Sequence, residues 1–175
     1  MIILIYGSSG SGKSVFAENL VSTFKTKKNY YVATMNPSKD SETQLRIARH
    51  KLQREGKGFE TIECPFNMEK LSFTSEDTVL IECLSNLVAN EYFMNKRPNF
   101  SSSFLKFIKD SKAKNILIVT NNLFEDGNVY DKETTNYLCT LAKLNKELAS
   151  ISTHVYEVVY GIEQLLKGEN SCYKL

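Results

Sequence analysis

Residues 7–14 read Gly-Ser-Ser-Gly-Ser-Gly-Lys-Ser, an instance of G-x-x-x-x-G-K-[ST]. No other segment constrains the fold as strongly. It follows the apolar run Ile2-Ile3-Leu4-Ile5-Tyr6, which reads as a buried strand, and precedes a helical stretch from Lys13 to about Phe24. In that setting small residues let the backbone curl until successive N–H groups face inward. The helix N-terminus adds its positive end, and the result is a cradle for phosphate oxygens. Gly7, Ser8, Ser9, Gly10, Ser11, Gly12, Lys13 and Ser14 are therefore the expected phosphate-binding residues. Lys13 reaches the β- and γ-phosphates of ATP or GTP, and the Ser14 hydroxyl ligates Mg2+. A glycine turn that merely joins strand to helix is the plain alternative, but motif and context agree on the phosphate loop.

Downstream, short apolar runs alternate with helical stretches. Tyr30–Thr34, Phe59–Glu63, Thr78–Glu82, Asn115–Thr120 and His154–Val159 read as strands, the second of them as an edge and the last as closing the sheet. Ser41–Arg54, Leu84–Asn95, Ser102–Lys109 and a stretch after Asp131 to Ala149 read as helices. Continuous apolar strands separated by helices imply a mostly parallel sheet covered on both faces. The expectation is an α/β P-loop NTPase (RecA-like) three-layer fold, one domain over residues 1–175. Only the stretch from Lys96 to Ser103 reads as a flexible connection.

Composition excludes little but agrees with this. Hydrophobic residues are 42% and charged residues 24%, and the net charge of +2 is too small to mark a nucleic-acid surface. No run approaches the ~20 apolar residues of a membrane span. Cys64, Cys83, Cys139 and Cys172 form no C-x-x-C pair, which suits reduced thiols in a cytoplasmic protein.

Two further features bear on chemistry. Glu82 ends an apolar strand, and in open parallel sheets ligands bind outside the carboxyl ends of strands. A carboxylate there can hold the water shell of a Mg2+ opposite Ser14; a solvated strand end is the other reading. On the 41–54 helix, Leu45, Ala48 and Leu52 fall on one side and read as a core stripe. Arg46, His50 and Arg54, spaced i, i+4, i+8, line another face, with Arg49 and Lys51 beside them. Positive neighbours keep an imidazole neutral and nucleophilic near pH 7, and the same arginines stabilise a phosphate under attack. That combination suits a nucleotidyl-histidine intermediate, with His50 and Lys13 as catalytic residues. A solvated basic helix face with an incidental histidine is the reading left open by spacing alone.

With these elements in view, the chain resembles the bifunctional adenosylcobinamide kinase / adenosylcobinamide-phosphate guanylyltransferase family of cobalamin biosynthesis. The likeness runs through Ser11-Gly12-Lys13-Ser14, Tyr31-Val32-Ala33-Thr34, Arg46-Ile47-Ala48-Arg49-His50-Lys51 with Arg54, Thr61-Ile62-Glu63 and Leu80-Ile81-Glu82-Cys83-Leu84. It continues through Asn86, Asn90, Val119-Thr120-Asn121, Asn145 and Val158-Val159-Tyr160-Gly161-Ile162. The resemblance implies phosphorylation of a hydroxyl on adenosylcobinamide, then transfer of GMP from GTP onto that phosphate through a guanylated His50. It also implies nucleotide contacts at Thr34, Met35, Lys51, Leu52, Gln53, Arg54, Glu63 and Glu82, and a homotrimer with sites near subunit boundaries. Three segments depart from the family pattern. Asn121-Asn122-Leu123-Phe124 replaces Asn-Glu-Val-Gly, Thr135–Cys139 lacks the family's arginines and aspartate, and Arg54–Phe59 is one residue longer. On the residues alone, a small-metabolite kinase with His50 as bystander and a non-catalytic nucleotide-binding protein also stay open.

Overall fold

The computed structural model describes residues 1–37, 41–97, 99–124 and 127–169, the side chains of 41–43 and 46 excepted. Pro98, Cys172, the side chain of Arg46 and part of the polar 121–131 loop lie outside the described residues. The strands are β1 (Ile2–Gly7), β2 (Lys28–Ala33), β3 (Phe59–Glu63), β4 (Asp77–Glu82), β5 (Asn115–Asn121), β6 (His154–Val159) and β7 (Ile162–Lys167). The helices are α1 (Lys13–Ser22), α2 (Ser41–Arg54), α3 (Leu84–Ala89), α4 (Phe100–Asp110) and α5 (Lys132–Ile151), with a π-turn at Asn90–Met94 continuing α3. The strands form one sheet in the order β3-β2-β4-β5-β1-β6-β7. Every neighbouring pair is parallel except β6 with β7.

The continuous apolar strands are explained by burial on both faces. Ile3, Ile5, Leu80, Leu117, Val119 and Val158 pack under Ala17, Leu20 and Val21 of α1. Leu4, Val79, Ile81, Ile116 and Ile118 pack on the other face against Leu84 and Leu87 of α3, Phe104 of α4 and Leu141, Leu144 and Leu148 of α5. Each such fully buried aliphatic side chain is worth about 1.5–3 kcal/mol, so the sheet's central strands are fixed in register. The chain leaves β1 toward β2 on one side and leaves β5 toward β6 on the other. The crevice at the carboxyl ends beside β1 is thus a topological switch point, where open α/β sheets bind ligands. Register brings Gly7 opposite Asn121, and Glu82 opposite both Ala33 and Val119.

Three expectations are corrected. The sheet does not end at β6: Tyr160 and Gly161, with φ 51° and 80°, make a tight turn into an antiparallel β7, a geometry that requires positive φ at both turn residues. The sequence 162–167, Ile-Glu-Gln-Leu-Leu-Lys, has little β-branching and is mostly exposed, so no burial pattern marks the strand. Leu45, Ala48 and Leu52 are not core; all are exposed, Leu45 at 70% and Leu52 at 72%. The face that turns inward instead carries Ile47, His50, Gln53 and Arg54, because α2 packs over a polar pocket and not over the apolar sheet. The stretch near Lys96 is tied down as well: Arg97 pairs with Glu69 and with the fully buried Glu91.

Candidate active site

The phosphate loop is built by backbone constraints at its two ends. A Cβ on Gly7 (φ 153°) would overlap the carbonyl oxygen of Val158, so only glycine lets β1 leave the sheet beside β6. Gly12, φ 96°, starts α1. The Phe16 N–H is bonded to the Gly12 carbonyl at 3.0 Å, so the amides of Lys13, Ser14 and Val15 occupy the first turn, where a helix offers no internal acceptors. These amides, with the helix dipole, face the pocket. The hairpin tip braces the loop from behind, since the Gly161 N–H donates to the Ser11 carbonyl at 2.8 Å. Lys13 is only 6% exposed and donates to the Ser8 carbonyl at 2.5 Å, which stretches its cation along the cradle. Burial pulls the Lys13 ammonium below its ordinary value, while Glu82 and Cys83 oppose that shift.

Glu82 stands at the carboxyl end of β4. Ser14 donates to its Oε1 at 2.7 Å. Its Oε2 is buried and has no hydrogen bond among the described residues. Burial pushes this carboxyl up to about 7, against the pull of the Ser14 hydroxyl and the Lys13 cation. A carboxylate oxygen left without a partner beside a serine hydroxyl fits a divalent cation. Among the described residues no group of three or more His, Cys, Asp or Glu gathers to hold a metal, so such a cation would draw further ligands from phosphate and water, the habit of Mg2+.

Facing the loop across one pocket of about 360 Å³ stands α2. Loop residues Ser9–Ser14 line one side and His50, Lys51, Gln53 and Arg54 the other, with Met35, Glu63 and Glu82 between them. Half-buried His50 therefore looks onto the same space as the phosphate cradle. The remaining sequence candidates take other places. Gly7 and Ser8 do not line the pocket: Gly7 ends β1, and the Ser8 carbonyl accepts from the Lys13 ammonium and the Ser11 N–H. Thr34 is fully buried and its hydroxyl donates to the carbonyls of Glu82 and Cys83, so its side chain fastens β2 to β4. Leu52 points outward and lines a second cleft that Lys51, Arg54 and Glu63 share with the pocket. Lys51 pairs with Glu63 at 3.3 Å. Arg54 is 8% exposed and stacks 3.8 Å over the Tyr31 ring, which makes it a fixed wall of the site.

Sequence reasoning misses the anchor beneath α2. Glu18 of α1 is fully buried and accepts from Lys57 at 2.6 Å and from Gln53 at 3.3 Å. Nothing in the sequence marks it, because an acid in a helix reads as solvated. Asn121 lines the pocket and donates to the Ser85 hydroxyl at 2.9 Å. The rule that singles out Glu82, a polar residue ending an apolar strand, would have found it.

The family model described as "Cobinamide kinase / cobinamide phosphate guanyltransferase" matches residues 3–166. No curated protein matches the chain. Among solved structures, the flagellar accessory protein FlaH from Methanocaldococcus jannaschii is 16% identical, with 96% of this chain and 78% of that one covered at a TM-score of 0.48. A prototypical ATPase from the type III secretion system of pathogenic bacteria is 10% identical, with 98% of this chain covered at a TM-score of 0.54. The chain spans 59% of that ATPase's length. At 10% identity the likeness to the secretion-system ATPase concerns the fold alone, and the fold is the P-loop three-layer α/β arrangement expected from the sequence.

Proposed function

The chain belongs to the cobinamide kinase / cobinamide phosphate guanyltransferase family, and from that premise we propose that both of the family's reactions run in the pocket between the phosphate loop and α2. It is an enzyme of cobalamin biosynthesis, an adenosylcobinamide kinase and adenosylcobinamide-phosphate guanylyltransferase, with nucleoside triphosphates and cobinamide as substrates. One observation carries the assignment to this pocket: His50 and the cradle residues Ser9–Ser14 line the same cavity.

In the kinase step the substrate hydroxyl oxygen attacks the γ-phosphorus. The bond to the β–γ bridging oxygen breaks, the nucleoside diphosphate leaves, and the hydroxyl proton passes to water. The first-turn amides and Lys13 hold the transferred group and its developing charge. In the second reaction a ring nitrogen of His50 attacks the α-phosphorus of GTP and pyrophosphate leaves. The substrate's phosphate oxygen then displaces the histidine and takes GMP. Ser14 and Glu82 would hold Mg2+, which when bound neutralises phosphate charge. Arg49, exposed on the pocket side of α2, supplies positive charge near the same phosphates. Thr34 acts through its backbone position and Lys51, Gln53, Arg54 and Glu63 through contacts to the nucleotide.

The protein acts in the cytoplasm as a homotrimer in this reading. The exposed Leu45, Ala48 and Leu52 on α2 support it, since an apolar stripe beside an active site suits cover by a neighbouring copy. No helix among the described residues is long and apolar enough to cross a membrane.

Incubation with α-labelled GTP and magnesium should leave an acid-labile, alkali-stable label on the protein. His50→Ala should abolish that label while the kinase reaction persists. Undiminished label in the variant would refute the nucleophile.

A further inference from the structure

The phosphate loop opens onto two clefts, on opposite sides. Toward α2 and β3, the main pocket continues through Lys51, Arg54 and Glu63 into a cleft of about 720 Å³. Toward α1 and the β6–β7 hairpin, Gly12 and Val15 are shared with a separate cleft of about 470 Å³, whose walls include Phe16, Asn19, Gly161 and Glu163. Both fall in the size range of small-molecule sites. Neither the family's nucleotide contacts nor the chemistry above uses the second.

The two reactions make opposite demands on a triphosphate. For His50 to attack, the α-phosphate must lie on the α2 side of the pocket, and the nucleoside then leaves through the α2–β3 cleft. For phosphoryl transfer, the γ-phosphate must lie over Lys13, Ser14 and Glu82. The α-phosphate then falls at the far end of the cradle. The Val15 amide belongs to the first turn of α1, and the Val15 side chain, 46% exposed, forms the sill between pocket and hairpin cleft. A nucleotide in this register runs its sugar and base across that sill. Beyond it lie the ring of Phe16, the amide of Asn19, which can donate to and accept from a base edge, and the bonded turn at Gly161. Tyr160 at the hairpin tip is 94% exposed, an aromatic ring next to the cleft with no core role.

We propose that the cleft between α1 and the β6–β7 hairpin is a nucleoside subsite for the phosphoryl donor, a purine triphosphate held in the reverse register to the GTP that guanylates His50. The loop thus serves two nucleotides from two directions, and the acceptor substrate meets each at the same floor. This rests on the two-reaction reading of the pocket.

Photolabelling of the intact protein tests it without requiring turnover. With 8-azido-ATP, crosslinks should map to the peptides holding Phe16–Thr23 or Tyr160–Glu163; with 8-azido-GTP and His50 intact, a set in Lys51–Glu63 should appear. Asn19→Trp, which fills only the hairpin cleft, should raise the KM for ATP about tenfold and leave His50 labelling by GTP within about twofold. Crosslinks of azido-ATP confined to Lys51–Glu63, no crosslink at all, or an unchanged KM in Asn19→Trp would overturn the subsite. Because photolabelling does not depend on cobinamide, a protein lacking kinase activity that still crosslinks at the hairpin would fault the reaction assignment and not the cleft.

Discussion

Glu82 combines three properties in one side chain: a serine hydroxyl on one oxygen, no hydrogen bond on the other among the described residues, and a carboxyl pushed up to about 7 by burial. The folded state therefore binds a proton more tightly than the unfolded chain, whose carboxyl titrates near 4.5. Stability conferred by the protonated form is complete below that unfolded value and is lost as pH rises through about 7. In metal-free protein, denaturant unfolding at pH 5 and pH 8 should differ by roughly 2–3 kcal/mol, with the lower stability at pH 8. Glu82→Gln should flatten the difference, and magnesium should restore stability at pH 8 only when Glu82 is present. An equal slope in the variant would remove Glu82 as its source. Glu82, Lys13 and Ser14 are legible in sequence because each stands at a fixed place relative to a strand end or a glycine. Glu18 is not: its burial depends on Lys57, 39 residues further along the chain, and no local pattern reports such a pairing.

The helix α2 presents His50 to the cradle through its last turn. Arg54 stacks on Tyr31 of β2, while Gln53 and Lys57 hold Glu18 of α1. The helix bearing the proposed nucleophile is thus bonded to the helix that begins the phosphate loop. Lys57→Met leaves a buried carboxylate without its cation and should cost about 2 kcal/mol, less than for a fully buried pair because Lys57 is partly exposed. Single-turnover labelling of His50 should slow about tenfold, while ATP affinity at the loop stays near wild type. Equal losses in both would mean that the bond supports the whole fold and not the placement of α2. At this scale the sequence shows the central elements and hides the peripheral ones. Strands β1, β4 and β5 are apolar on both faces and announce themselves. Strand β7 is exposed along most of its length, so its residues carry no burial pattern. The α2 periodicity offers an apolar stripe and a polar one, and only the nature of the surface beneath decides which turns inward.

For the whole molecule, one sheet with apolar layers on both faces places every proposed reactive group at the carboxyl edge, around the switch point beside β1. The α2 stripe remains uncovered in the single chain. Light scattering should give about three times the protomer's 19.9 kDa, and Leu52→Asp on that stripe should shift the mass downward at micromolar protein. A monodisperse 19.9 kDa species for the unaltered chain would contradict the trimer. Cradle and histidine are proposed to act on one nucleotide in one pocket. Lys13→Met tests this most directly, because Lys13 belongs to the loop and His50 is left intact. With α-labelled GTP, labelling of His50 should fall by roughly a hundredfold or more, in line with the loss of a group that stabilises charge in the transition state. Labelling at the wild-type rate in Lys13→Met would show that the histidine works on a nucleotide the loop does not hold.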